Sequence, residues 1–317
     1  MFRSPHLATI AANFWPRRLD WRRFPVRAVR YQTEPDVSVL VHEQSPEGAP
    51  RGEVVLLHGL EGSSEGGYMR SMAQAALEAG FAVHRVNTRG CGGTESWCRT
   101  LYHAGLTSDP VHILGELRRQ GRGPVYLAGF SLGGNVALKL AGELGAGARS
   151  LAAGVCAISA PVDLAACVRR LDHPENFLYQ WRFVRSMKRR MRVRHKLMPE
   201  LFPVDGLDRI RTVYAMDDRM TAPFFGFGTA DNYYATQSSR QFLDRIGIPA
   251  LLIASKDDPL VPFEVYRRRY GVNVTLLATE HGGHVGFLSR RRPRFWLDGT
   301  ILTWLDRIGN KQEAVLV

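Results

Sequence analysis

No stretch of this 317-residue chain approaches the roughly 20 consecutive apolar residues that a bilayer-spanning helix needs. The opening segment MFRSPHLATIAANFWPRRLD shows no apolar run ahead of a small-residue cleavage site, so no export signal is read in it. Cysteine is scarce. Cys91, Cys98, Cys156 and Cys167 form no CxxC pair, which argues against a disulfide framework and leads us to expect a soluble protein in a reducing, cytoplasmic setting. The glycine-rich string Asn87-Thr-Arg-Gly-Cys-Gly-Gly93 has neither G-x-G-x-x-G order nor a Walker lysine, so it is read as a surface turn after a strand. His281 and His284 stand in H-x-x-H spacing without an H-E-x-x-H or cysteine cluster, which makes metal the poorer reading. No cofactor and no metal are expected. The sequence also lacks internal repeats, low-complexity tracts and flexible linkers, while its 45% hydrophobic content suffices for a doubly wound core. A single domain over 1–317 follows.

Glycine, by contrast, is placed where chemistry would need it. Pro124 to Asn135 reads PVYLAGFSLGGN: an apolar strand run that stops at Gly129-Phe130-Ser131-Leu132-Gly133 and passes into the helical pattern NVALKLAGEL. A serine on such a sharp strand-to-helix turn is exposed above the sheet, and the glycines on either side let the backbones pass closely. Ser131 is therefore the candidate nucleophile, and the amide of Leu132 at the helix start is a candidate oxyanion donor.

A serine nucleophile of this kind needs an acid and a histidine later in the chain, each just after a strand. The run Pro249 to Ala254 reads as a buried strand and ends in Ser255-Lys-Asp-Asp-Pro-Leu-Val-Pro262. Asp257 or Asp258 is the acid, Asp258 being favoured, with Asp163 a third candidate. The strand Asn273 to Ala278 leads to Glu280-His-Gly-Gly-His-Val-Gly-Phe287, whose glycines let a histidine loop fold back, and His284 is the expected base. Earlier, Val54 to Leu57 read as a strand followed by His58-Gly59-Leu60, so the Leu60 amide is the second oxyanion donor and His58 a loop-shaping residue.

Repeated strand and helix patterns predict an α/β fold with a mostly parallel sheet and helices on both faces: strands at Val37 to Val41, Val54 to Leu57 and up to Val86, helices over Ser71 to Ala79 and Val111 to Arg119. Strand Gly154 to Ser159 and the strand at Ala250 are separated by about 90 residues, more than a βαβ crossover requires. An inserted helical cap over about 162–246 is expected. Of the net charge of +12, eight positive charges fall between Arg182 and Lys196, a stretch without an acid. Leu178, Trp181, Val184, Met187 and Met191 recur at helical spacing and predict a basic amphipathic helix with one apolar stripe. Its basic face reads first as solvated, second as attracted to the anionic inner face of a membrane, and third as a polyanion contact, nucleic acid being disfavoured. The run Arg290 to Arg294 adds a smaller basic patch. Tyr233, Tyr234, Phe224, Phe225 and Phe227 are read as core or cap packing ahead of an acyl-binding wall.

Several strings together resemble the YheT-like branch of the α/β-hydrolases, the AB hydrolase-4 family. They are Ser4-Pro-His-Leu7, Leu57-His-Gly-Leu-Glu-Gly-Ser-Ser64, Asn87-Thr-Arg-Gly90, Tyr102-His-Ala-Gly105, Gly129-Phe-Ser-Leu-Gly-Gly-Asn135, Thr221-Ala-Pro223, Tyr233-Tyr234, Asp257-Asp-Pro259 and His281-Gly-Gly-His-Val-Gly-Phe287. Ala8 departs from the pattern, where relatives tend to carry glutamine. The resemblance implies an α/β-hydrolase fold, a triad of Ser131, Asp258 and His284, and a small acyl ester as substrate, short- to medium-chain or acylglycerol-like. The expected activity is that of a serine carboxylesterase acting through an acyl-enzyme. The alternatives are thioesterase or amidase chemistry on the same triad, or a silent protein that uses the fold to dock on membranes or polyanions.

Overall fold

The computed structural model describes residues 4–17, 19–289, 292 and 294–313; of the run from Arg290 to Arg294, residues 290, 291 and 293 lie outside them. Its strands are β1 (Arg27–Glu34), β2 (Val37–Gln44), β3 (Glu53–Leu57), β4 (Ala82–Val86), β5 (Val125–Phe130), β6 (Gly154–Ile158), β7 (Ala250–Ser255) and β8 (Val274–Thr279). Every residue of β3, β4, β5, β6 and β7 is buried, which is why β3, β5, β6 and β7 read as near-continuous apolar runs and not as alternating ones, while β4 buries His84 and Arg85 against Glu53 and Glu65. They form an eight-stranded sheet in the order β1-β2-β4-β3-β5-β6-β7-β8. β1 and β2 are antiparallel, β2 runs antiparallel to β4, and β3 to β8 are all parallel.

Successive side chains of each strand go to opposite cores. Val55 and Leu57 join a cluster with Ile113 and Leu117 of α3 (Ser108–Arg119) and Val136 and Leu140 of α4 (Leu132–Leu144). Val54 and Leu56 join the opposite cluster with Met69 and Met72 of α2 (Gly67–Glu78) and Ile301 and Leu305 of α10 (Trp296–Glu313). Two helices therefore cover each face. The register pairs Leu57 with Gly129, Phe130 with Ile158, Ile158 with Ile253 and Ser255 with Thr279, so the carboxyl ends of the central strands share one rim.

Between β6 and β7 lie α5 (Leu164–Leu171), α6 (Phe177–Leu197), α7 (Val213–Met216), a π-helical turn at Asp217–Thr221, α8 (Ala222–Phe224) and α9 (Ala230–Gln237). They have a core of their own around Phe202, Leu207, Ile210 and Met216, which also takes in Leu101 and Leu260 from loops above the sheet rim. A first helix, α1 (Pro5–Phe14), starts at Ser4, whose hydroxyl accepts the Leu7 N–H at its cap.

Three expectations need correction. The sheet begins one strand earlier than the apolar pattern indicates, because β1 is an edge strand with Tyr31 as its one buried residue. The Asn87–Gly93 turn is at the surface only at Gly92 and Gly93: Asn87, Arg89 and Cys91 are buried, and Arg89 pairs with Asp109 at 2.7 Å and with Glu34. Positive φ at Gly90, Gly92 and Gly93 coils this turn beneath α6, and a Cβ on Gly90 would lie 1.8 Å from the Arg194 guanidinium. The apolar stripe assigned to α6 is also displaced. Val184 and Met191 are buried, but Leu178 is 67% and Trp181 50% exposed. Gln180 and Arg194 take inward positions instead, since the Gln180 amide bonds Asp172 and Val213 while Arg194 lies over the Phe202 ring. Polar side chains can share a buried face, so hydrophobicity alone places the stripe correctly at Val184, Met187 and Met191 and misplaces it at Leu178 and Trp181.

Candidate active site

Ser131 follows β5 with φ 52° and ψ −120°, a conformation sparsely populated by residues bearing a Cβ. The turn is fixed from both sides: Ser131 N–H donates to the Ile158 carbonyl at 2.7 Å, and a Cβ on Gly129 would stand 2.1 Å from the Gly133 oxygen. A Cβ on Gly133 would meet the Leu57 carbonyl at 2.6 Å. Both glycines of the G-x-S-x-G string are thus needed so that β5, β3 and α4 can approach.

His284 and Asp258 converge on this serine from the ends of β8 and β7. His284 Nε2 lies 2.9 Å from Ser131 Oγ, and its Nδ1 lies 2.9 Å from Asp258 Oδ2. The carboxylate can only accept, so Nδ1 carries the proton and Nε2 is left to accept from the serine hydroxyl. Asp258 Oδ1 also accepts the Leu260 and Val261 amides at 2.8 and 3.0 Å, which fixes the carboxylate's rotation. Asp257 has a different task. Its Oδ1 accepts the Gly282 and Gly283 amides, both at 2.9 Å, so it holds the backbone of the histidine loop. Asp163 caps α5 by accepting the Ala166 N–H and pairs with Arg240, away from the serine. His281 faces Asp257 at 3.1 Å, so the two histidines of the H-x-x-H string point to separate carboxylates.

The loop after β3 presents three successive amides, and two are occupied. Gly59 N–H donates to the Tyr68 hydroxyl at 3.0 Å and Glu61 N–H to the Tyr102 hydroxyl at 3.1 Å. Between them the Leu60 N–H has no acceptor among the described residues, and neither does that of Leu132 in the first turn of α4. A Cβ on Gly59 would lie 3.0 Å from Ser131 Cβ, which measures how closely this loop passes the serine. His58 shapes it from below: Nδ1 bonds the Gly59 carbonyl at 2.8 Å, Nε2 accepts the Thr88 N–H at 3.1 Å, and burial pushes its pKa down to about 4. Glu61 is nearly enclosed and accepts from Tyr102, Ser186 and Arg190, the last two on α6.

Tyr68, Glu61, Ser186 and Arg190 carry no sequence signal as a group, because the loop and α6 lie well over a hundred residues apart. Thr9 is a further residue that pattern reading misses. Its hydroxyl accepts the His284 N–H at 2.8 Å, and Ala8 packs against Gly283 and Gly286, so α1 buttresses the histidine loop.

Ser131, Leu132, Leu60 and His284 line a cavity of about 140 Å³ whose remaining wall is mainly apolar, including Leu164, Val168, Phe183, Met187, Met216 and Met220. Tyr233 and Tyr234 belong to this wall and are also packed: the Tyr233 ring stacks on Phe227, and the Tyr234 hydroxyl donates to Asp217 at 2.7 Å. Burial raises Asp217 to about 6 against the opposing hydrogen bonds of Tyr234 and Thr221. On the other side the serine faces an open groove of about 580 Å³ between α1 and α6, bordered by Ile10, Asn13, Tyr179 and Arg182.

Residues 53–290 match a family model described as alpha/beta hydrolase fold. Among curated proteins, the chain is 30% identical over 96% of its length to the "Putative esterase YheT" of Escherichia coli, covering 91% of that protein. It is 27% identical to the mouse phospholipase ABHD3 over 83% of this chain, but spans 63% of that protein's length. A monoacylglycerol lipase of Saccharomyces cerevisiae is 29% identical over 77% of this chain and 56% of its own length. The solved esterase Pf2001 of Pyrococcus furiosus superposes with a TM-score of 0.59 over 93% of this chain and 96% of its own, at 18% identity, a likeness of fold. With six parallel strands ending at one rim, a serine on the elbow after β5 and this sequence match over three quarters of its length, the chain belongs to the α/β-hydrolase family, in its YheT-like branch.

Proposed function

We propose that the protein is a serine carboxylesterase in which Ser131, His284 and Asp258 form the triad and the Leu60 and Leu132 amides the oxyanion hole. The unbroken relay from Ser131 Oγ through the His284 ring to Asp258 carries this reading, with 2.9 Å at each link. Ser131 Oγ attacks the ester carbonyl as Nε2 takes its proton. The oxyanion receives the two free amides, and the imidazolium beside Asp258 returns the proton to the departing alcohol. Water, activated by the same ring, then attacks the acyl-enzyme and releases the acid. The apolar cavity would hold the acyl chain, and segment 162–246 would act as a cap over it. Relatives named as esterase, phospholipase and monoacylglycerol lipase support acyl esters of short to medium chain, or acylglycerols, as the substrate class. The exposed basic side chains Arg182, Arg185, Arg189 and Lys196 of α6 would add a peripheral attraction to the anionic inner face of a membrane.

A fluorophosphonate probe should label the wild-type protein and fail on Ser131→Ala, which should lose p-nitrophenyl ester turnover while its melting temperature stays nearly unchanged. Absence of labelling, under conditions where a control esterase reacts, would favour a non-catalytic binding protein. Faster turnover of acyl thioesters or anilides than of matched oxyesters would move the assignment to thioesterase or amidase.

A further inference from the structure

Helix α1 is amphipathic in the unusual sense. Its inward residues are small, Ala8 at 1% and Ala12 at 4% exposure, and its large apolar residues face solvent, Leu7 at 59%, Ile10 at 41% and Phe14 at 75%. A helix selected for core packing would bury the leucine and phenylalanine and expose the alanines. The first turns of α6 repeat the arrangement with Phe177, Leu178 and Trp181, all at least half exposed. His6 stacks on Tyr179 with ring centroids 5.8 Å apart, so the N-terminal ends of the two helices lie side by side. Ile10 and Phe14 of α1, and Tyr179 and Arg182 of α6, border the groove that reaches Ser131 and His284.

We propose that the exposed apolar residues of α1 and the start of α6 form a docking edge that inserts shallowly into an anionic lipid surface and turns the mouth of the Ser131 groove toward it. The proposal deepens the membrane contact suggested above: it assigns the insertion to apolar side chains of two helices and leaves to the basic face of α6 only the attraction. Two observations select lipid as the occupant. The stretch from Arg182 to Lys196 has no acid, and although Arg190 and Arg194 turn inward, Arg182, Arg185 and Arg189 are exposed and adjoin the apolar edge; the Arg185 guanidinium lies over the Trp181 ring, a pairing suited to the headgroup level. The groove opens between the same two helices, so an ester held in lipid would have a short path to the serine. Among the described residues no helix is long and apolar enough to cross a membrane, which fits shallow insertion.

Sedimentation of the full chain with vesicles of phosphatidylcholine alone, or mixed with phosphatidylglycerol, tests this. Wild type should bind the mixed vesicles, and Trp fluorescence should shift blue on binding. The triple variant Leu7→Ser, Leu178→Ser, Trp181→Ser should bind at least tenfold more weakly, while hydrolysing a soluble p-nitrophenyl ester at the wild-type rate and melting at the wild-type temperature. If wild type ignores both vesicles, or the triple variant binds as well as wild type, the docking edge is wrong. Loss of binding confined to Arg182→Gln, Arg185→Gln, Arg189→Gln would show attraction without insertion and overturn it too. None of these outcomes touches the esterase reading, which stands on the soluble assay.

Discussion

Asp257 and Asp258 are neighbours in sequence with different partners, one gripping the backbone that carries His284 and the other facing its ring. Asp258→Asn should therefore lower kcat by about 10³–10⁴-fold with the fold intact, since an amide offers the wrong group to Nδ1–H. Asp257→Asn should act through loop position, with a loss of up to ~10²-fold and a lower melting temperature. Steady-state kinetics beside thermal melts separate the two. A second residue-scale expectation concerns His84, buried between Glu43 and Glu53 with Nε2 2.6 Å from Glu53. Burial alone lowers its pKa, but the hydrogen bonds and charges of the two glutamates outweigh it, and the net direction is upward from 6.5. Stability from this cluster is complete below that value and is lost as pH rises through the folded-state pKa. Denaturant midpoints should therefore fall as pH rises above 6.5, and the fall should be smaller in His84→Gln.

At the scale of elements, the contact of α6 with the loop after β3 matters more than the charge of α6 as a whole. Arg190 and Ser186 hold Glu61, the residue after the Leu60 amide, and Arg190 also donates to the Gly90 carbonyl. Removing Arg190 leaves Glu61 enclosed without its cation. Arg190→Met should destabilise by about 3 kcal/mol, the lower end of the range for breaking a buried pair because Arg190 keeps 16% exposure. It should also reduce kcat as Leu60 shifts. Adding Glu61→Gln to Arg190→Met should restore part of the stability, and a double-mutant cycle in urea measures the coupling. Strictly additive losses would mean that the pair does not tie the two elements together.

At the scale of the molecule, the apolar cavity lies where the helices between β6 and β7 meet the sheet rim: Met187 and Met216 come from the former, Leu60 and Leu132 from the latter. Met216→Trp should fill part of its 140 Å³ and shift the preference among p-nitrophenyl esters toward shorter acyl chains, with acetate turnover retained. An unchanged chain-length profile would mean that the acyl group lies elsewhere, the open groove between α1 and α6 being the remaining space.

The parallel sheet, the elbow at Ser131 and the turns carrying Asp258 and His284 were legible because each rests on local chemistry: apolar runs for strands buried on both faces, glycines where a Cβ would collide, a polar turn at each strand end. What lay beyond the sequence was the choice of partner for the buried polar groups outside the relay of Ser131, His284 and Asp258. It could not place β1, whose edge position leaves no apolar pattern, or the Asn87 turn, whose Arg89 is paired with Asp109 and Glu34. Nor could it identify Gln180 and Arg194 on the buried face of α6, or the tyrosines that occupy the amides beside Leu60. Periodicity and turn chemistry are properties of neighbours along the chain. A buried polar group is satisfied by whichever group the fold brings within about 3 Å, and segments distant in sequence decide that together only once they have packed.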